Sequence, residues 1–239
     1  MSEYSFLQKW RHLYYNNGTG YFDYLPCAAV MRLDSSIYII SKGEYTMQPK
    51  EILLMLTDQW ADWEAAYATA SLNAFFGYSV KTIAADKEPK VSMGGLQANI
   101  DYTISEYSNL ANVAMLILPG GANWQEAAHN EIASFVKKVL GFQIPVAAIC
   151  GATIFLGRHG LLDNVKHTGD ELELFQEHDD YRGQVNYLQA QVVLDGGIIT
   201  ANETAAVEFA HAIFGVLKVD SAEELDGWRE HFKSGAVRV

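Results

Sequence analysis

"IPVAAICGATIFLG", residues 144–157, carries an apolar run into a single cysteine and follows it directly with a glycine. "PVAAIC" (145–150) has the length and continuity of a strand covered on both faces, and the chain from there to about Gly160 reads as a helix. Cys150 therefore falls at a strand-to-helix turn. It is either a small apolar filler at a strand end, the commoner fate of a free cysteine, or a nucleophile lifted by the turn.

The pattern repeats upstream. "EILLML" (51–56), "YSVKTIAA" (78–85) and "VAMLILPGG" (113–121) read as strands, the first and third as continuous apolar runs. Between the first two lies "ADWEAAYATASLNAFFG", where Trp63, Tyr67, Ala70 and Ala74 share one helical face and Gly77 marks the stop. "VSMGGLQANIDYTI" is a glycine-turned excursion, and "NWQEAAHNEIASFVKKVLG" is a second helix. Downstream, "QAQVVLDGGIIT" forms a hairpin around Asp195-Gly196. "ETAAVEFAHAIFGVL" is an amphipathic helix, and Ser221 with Glu224 stands at capping-box spacing before a last one.

Strands alternating with helices define an α/β chain, a three-layer αβα sandwich with a mostly parallel sheet. Residues 1–49 break the pattern and form an N-terminal extension: an appended module, an oligomer contact or a poorly ordered arm. Residues 50–218 make the main domain and 219–239 a C-terminal helix.

Of the 239 residues, 49% are apolar and 19% charged, which suits a packed core, and the net charge of −12 disfavours nucleic acid and anionic membranes. The apolar runs are too short to span a bilayer, and the first residues lack a secretory signal pattern. Cys27 and Cys150 form neither a disulfide framework nor a metal cluster, which points to a reducing, cytoplasmic setting. No metal or organic cofactor is expected.

Ligands of open α/β sheets bind beyond the carboxyl ends of the strands. Those ends carry Thr57, Asp58 and, slightly later, Glu64; Gly120 and Gly121; Cys150 and Gly151; and Asn202 and Glu203. A thiol over a helix N-terminus is expected to have a pKa below about 8.5. The Gly151 N–H, with one from Gly120-Gly121, could bind an oxyanion. Trp60 and Trp124 follow two of the strand ends and are pocket walls or core; Asn202 is a possible lining residue. His129 and His211 sit in expected helices as structural residues. Asp58 and Asp62 are helix-start charges. Cys27 has no partner.

"LPGG", then about thirty residues later "AAICGA", then "KHT" and "IITANETAAVEFA" resemble the ThiJ/PfpI family, of the class I glutamine amidotransferase-like superfamily, over roughly residues 50–218. The resemblance implies a flavodoxin-like sheet and a nucleophile-elbow cysteine at Cys150. It makes Glu64, in "ADWEAA", the glutamate that hydrogen-bonds that cysteine, and Gly121 and Gly151 the oxyanion positions. It also makes His167, in "VKHTGD", a histidine that lies near the cysteine in some members; a loop histidine bonded to backbone is the equal alternative. It further implies a homodimer and a small-molecule substrate. Two features depart from the pattern. Gly151 stands where the family's proposed peptidases carry a histidine. None of His159, His167, His178, His211 and His231 begins the His-x-Glu of true glutamine amidotransferases. Three functions remain: a cysteine-dependent enzyme acting on a small carbonyl, amide or dicarbonyl compound; a redox or stress sensor using Cys150; and a non-catalytic interaction protein.

Overall fold

Among the residues described by the computed structural model (30–33, 36–39, 50–124 and 130–235), apolar runs become strands where helices cover both of their faces. Val30–Leu33 (β1) and Ser36–Ile39 (β2) pair antiparallel within a separate unit, Met1–Pro49. Cys27 and residues 125–129, which include His129, lie outside the described residues, and Asn123 and Trp124, the expected start of the second helix, form a turn.

The main unit begins with β3 (Glu51–Met55) and α1 (Asp62–Ala74). β4 (Ser79–Ala84) follows, then the short strands β5 (Lys90–Val91), β6 (Gln97–Ala98) and β7 (Tyr102–Thr103). β8 (Val113–Leu118), α2 (Asn130–Gly141), β9 (Val146–Ile149) and α3 (Gly151–Arg158) come next. The chain continues through α4 (Leu172–Gln176), β10 (Val192–Asp195), β11 (Ile198–Ala201), α5 (Ala206–Leu217) and α6 (Ala222–Ser234). Seven strands form one sheet in the order β10-β11-β9-β8-β3-β4-β7. Only the β10–β11 pair is antiparallel, so the carboxyl ends of β3, β8, β9 and β11 share one edge.

Alternation along each strand divides the core. Leu53, Met55, Leu116, Leu118, Val146 and Ala148 pack with Ile132, Phe135, Val136 and Phe155 of α2 and α3. Helices α1 and α5 pack together on the other side, with α6 against α5. There Trp228 meets Phe214 edge-on at 4.9 Å. The expected caps form: the Ser221 side chain accepts from Glu224 N–H, and Gly77, at φ 72°, closes the turn after α1.

The face of α1 is a correction. Trp63 is 50% exposed and Ala70 and Ala74 are exposed, whereas Glu64, Ala65, Ala68, Ser71 and Leu72 are buried. Small residues let α1 approach α5 and the sheet closely. The large aromatics were the misleading guide. Burying Glu64 is also what makes the helix useful.

Candidate active site

Cys150 caps α3 with φ 53° and ψ −130°, a backbone region that a residue with a side chain occupies only when its surroundings impose it. Here both of its peptides are pinned. Its N–H donates to the Ala201 carbonyl at the end of β11 (2.9 Å), and its own carbonyl accepts from Thr153 N–H (2.8 Å) and Thr153 Oγ1 (2.6 Å). The turn leaves the cysteine half-buried and sets the Gly151 N–H as a donor to its sulfur. A Cβ on Gly151 would lie 2.9 Å from the Gly121 carbonyl oxygen, so a side chain there would push apart the two glycine-bearing turns.

Glu64 reaches the thiol from α1. Only 1% exposed, it accepts the Gly120 N–H at Oε2 (2.6 Å) and is hydrogen-bonded to Cys150. Gly120 is the spacer: a Cβ there would sit 2.7 Å from both Cys150 Cβ and Glu64 Oε2. Two bonds zip the loop after β3 to the glycine turn after β8. Ala61 N–H donates to Gly120 O (2.9 Å) and Ala122 N–H to Gln59 O (3.2 Å).

Burial pushes the Glu64 carboxyl up from 4.5 to about 7. The Gly120 and Cys150 hydrogen bonds oppose this, and the charges of Asp170 and Glu203 reinforce it. Burial also pushes the Cys150 thiol up, and the charges of Glu64 and Asp170 add to it; the Gly151 N–H opposes least. The thiol is therefore raised, not lowered as the helix N-terminus suggested. One donated N–H is outweighed by desolvation and two carboxylates.

Asp170 is the residue the sequence reading passed over. It hydrogen-bonds the Cys150 thiol and accepts the Glu203 N–H at Oδ1 (2.9 Å). Its only sequence signal is its place at the end of "KHTGD", where attention fell on the histidine. His167 is not among the groups acting on the thiol. It is wholly buried, with Nδ1 bonded to Val165 O (2.8 Å) and Nε2 to Tyr181 Oη (2.7 Å), against the rings of Phe175, Tyr181 and Tyr187. Burial lowers its pKa. His167 holds the loop; Asp170, three residues later, faces the sulfur.

Trp124 lies beside Gly151, its Nε1–H donating to Pro119 O (2.8 Å) and its ring packed on Phe155. Trp60 is buried, forms an isolated bridge with Gly121, and has no hydrogen-bond partner for Nε1 among the described residues. Asn202 Oδ1 accepts from Thr204 N–H and Oγ1 and so shapes the turn that carries Glu203. A cleft of about 510 Å³, lined by Asp58, Gln59, Val91, Ser92, Met93 and Asn123, opens on the same zipped loops. Asp58 thus lines a cleft and also pairs with Lys90 (3.8 Å), while Asp62 accepts from Ser92 Oγ (2.6 Å). Among the described residues no three His, Cys, Asp or Glu side chains converge to hold a metal, and no helix is long and apolar enough to cross a membrane.

The site is thus a strained cysteine at a parallel strand end, met by a buried glutamate across a glycine, on an α/β scaffold. The DJ-1/PfpI family profile matches residues 50–215, and the chain belongs to that family. It is 36% identical over 178 residues to YdeA of Bacillus subtilis, covering 74% of this chain and 88% of that protein, and 32% identical over 190 residues to YoaZ of the same organism, covering 76% and 90%. Both relatives are named as uncharacterized proteases. The crystal structure of the DJ-1 superfamily protein Atu0886 from Agrobacterium tumefaciens superposes with a TM-score of 0.72 at 29% identity, over 78% of this chain and all of that one.

Proposed function

We propose that the protein is a cysteine-dependent enzyme acting on a small carbonyl, dicarbonyl or acyl compound, with Cys150 as nucleophile and Glu64 as its proton partner. The observation that carries this is the Cys150–Gly120–Glu64 contact: a buried carboxyl, pushed up to about 7, hydrogen-bonded to a sulfur on a strained turn. The pair gives up its first proton near neutral pH and holds the second well above the ordinary thiol range. In the singly ionised pair the remaining proton lies between sulfur and carboxylate. As Sγ bonds to the carbonyl carbon, the thiol proton passes to Glu64 and the carbonyl π electrons move to oxygen. The Gly121 and Gly151 N–H groups are the donors assigned to that oxyanion. An aldehyde or dicarbonyl takes the Glu64 proton on this oxygen to give a hemithioacetal. In a 2-oxoaldehyde a proton then moves from the sulfur-bearing carbon to the neighbouring carbonyl carbon, and water cleaves the resulting thioester to a 2-hydroxy acid and the free thiol. An acyl compound instead expels its leaving group with that proton, and water then cleaves the thioester and restores the thiol.

Small carbonyl substrates are favoured over peptides. Position 151 is glycine, and both His167 ring nitrogens are bonded to Val165 and Tyr181, so among the described residues no histidine of the peptidase type serves the sulfur. The raised thiol also disfavours a sensor that depends on a standing thiolate. The test is turnover of methylglyoxal, small aldehydes and activated esters by the full chain and by Cys150→Ala. Loss of every activity in the variant supports the assignment; activity retained in Cys150→Ala removes it.

A further inference from the structure

We propose that the Cys150 site selects substrates bearing a positive charge, such as an ammonium or guanidinium group a few bonds from the reacting carbonyl, and that Asp170 and Glu203 receive that charge. This substrate class presupposes the cysteine chemistry proposed for the site.

Two separate segments are involved: one brings Asp170 to the sulfur and the other brings Glu203 to Asp170. The loop ending in Asp170 is tied to the sheet through Thr168, whose N–H donates to Thr200 Oγ1 (2.9 Å) and whose Oγ1 donates to Ala190 O (2.7 Å). Gly169 has no room for a side chain, since a Cβ would lie 2.5 Å from Phe175 and 2.6 Å from Thr153 Oγ1. The backbone path to Asp170 is thereby fixed. Glu203 rides on the Asn202 turn after β11, and its N–H donates to Asp170 Oδ1. Asp170 in turn hydrogen-bonds the thiol, so the acidic pair is joined to the reactive atom and is not a detached surface cluster.

The charges acting within this set are all of one sign. Glu64 feels Asp170 and Glu203, Cys150 feels Glu64 and Asp170, and Asp170 feels Glu203. Among the described residues no lysine, arginine or histidine enters any of these interactions. Among the described residues five carboxylates pair with a lysine or arginine, Asp58 and Asp86 with Lys90, Glu106 with Lys87, Glu208 with Lys233 and Asp226 with Arg229, and most, Asp170 and Glu203 included, do not. Burial first and the Glu203 side-chain hydrogen bond second push Asp170 up to about 6, and the Glu203 charge adds a smaller push in the same direction. Glu64 is enclosed, whereas Asp170 is half-buried and Glu203 exposed, so the charge of the pair stands at the solvent side of the half-buried cysteine's acidic neighbours. A cation docked there relieves this repulsion; an anion adds to it.

The experiment needs no known substrate. In the full-length Cys27→Ser protein, Cys150 is modified by three methanethiosulfonates that differ in charge: trimethylammonioethyl, methyl and sulfonatoethyl. In each, sulfur displaces methanesulfinate and forms a mixed disulfide. Rates are divided by those for 2-mercaptoethanol, and the cationic-to-anionic ratio cancels any change in thiol reactivity. We expect a ratio of at least about tenfold at low salt, falling as salt rises. Asp170→Asn and Glu203→Gln should each cut it about threefold or more. Glu203 is exposed, so its variant keeps the test sound if Asp170→Asn fails to fold. Glu223→Gln with Glu230→Gln, on exposed positions of α6, controls for net charge and should leave the ratio in place. A ratio near one, or one unmoved by both site variants, overturns the charge selection while leaving the nucleophile standing. If none of the three reagents modifies Cys150, the cysteine chemistry and the charge selection fall together.

Discussion

Glu64 and Cys150 come from segments 86 residues apart and meet beside the backbone of Gly120, Glu64 Oε2 bonded to Gly120 N–H at 2.6 Å. The contact depends on a helix that buries its third residue, a strand that ends in two glycines and a turn that strains a cysteine. Each of these can be altered singly.

Gly120→Ala places a methyl group 2.7 Å from both partners and 3.0 Å from the Ile149 carbonyl, where backbone blocks its retreat. The variant should lose about 1–3 kcal/mol of stability. The folded fraction should alkylate at Cys150 about tenfold more slowly than the parent, as read by urea unfolding and iodoacetamide labelling.

Glu64 ties stability to pH. Its folded pKa of about 7 lies above the ordinary 4.5, so between these values the folded state binds the more protons and stability falls as pH rises. The loss attributable to Glu64 is about 3 kcal/mol across that window. Glu64→Gln should flatten this part of the profile, measured by urea midpoints from pH 4.5 to 7.5 as a difference from the parent.

His167 should prove structural. His167→Ala removes one buried and one part-buried hydrogen bond and leaves Tyr181 Oη without its partner, at about 2–4 kcal/mol. Its lowered pKa works in the opposite sense to Glu64. The unfolded chain takes a proton first, so this contribution is lost as pH falls below the ordinary 6.5. Cys150 reactivity per folded molecule should be unchanged; a large drop would make His167 part of the site.

Cys150→Gly removes the strain of a side chain at φ 53°. It should raise stability by about 1 kcal/mol relative to Cys150→Ala while both lack activity, since glycine alone occupies that region freely. Paired unfolding curves for the two variants decide it.

The main sheet was legible because Ile52–Leu56, Val113–Leu118 and Val146–Ile149 are unbroken apolar runs, a pattern that strands buried on both faces produce. The Asp195-Gly196 hairpin and the Ser221 cap were legible from local turn and cap chemistry. The inner face of α1 was not, because Ala65, Ala68 and Ser71 carry little apolar signal and Trp63 carries much. Asp170 was hidden for another reason: its place depends on Thr168 meeting Thr200 across 32 residues of chain. The direction of the thiol shift was misread on the same ground. The helix N-terminus is local to Cys150, whereas the carboxylates that outweigh it arrive from distant segments.

The most direct test of the Cys150–Glu64 pair is the pH dependence of Cys150 alkylation by iodoacetamide, in a Cys27→Ala background, with and without Glu64→Gln. The account predicts a step in rate near pH 7 in the parent, where the pair loses its first proton, and in the Glu64→Gln protein a single rise in the thiol range without that step. Superimposable profiles, each with one thiol-type rise, would contradict it.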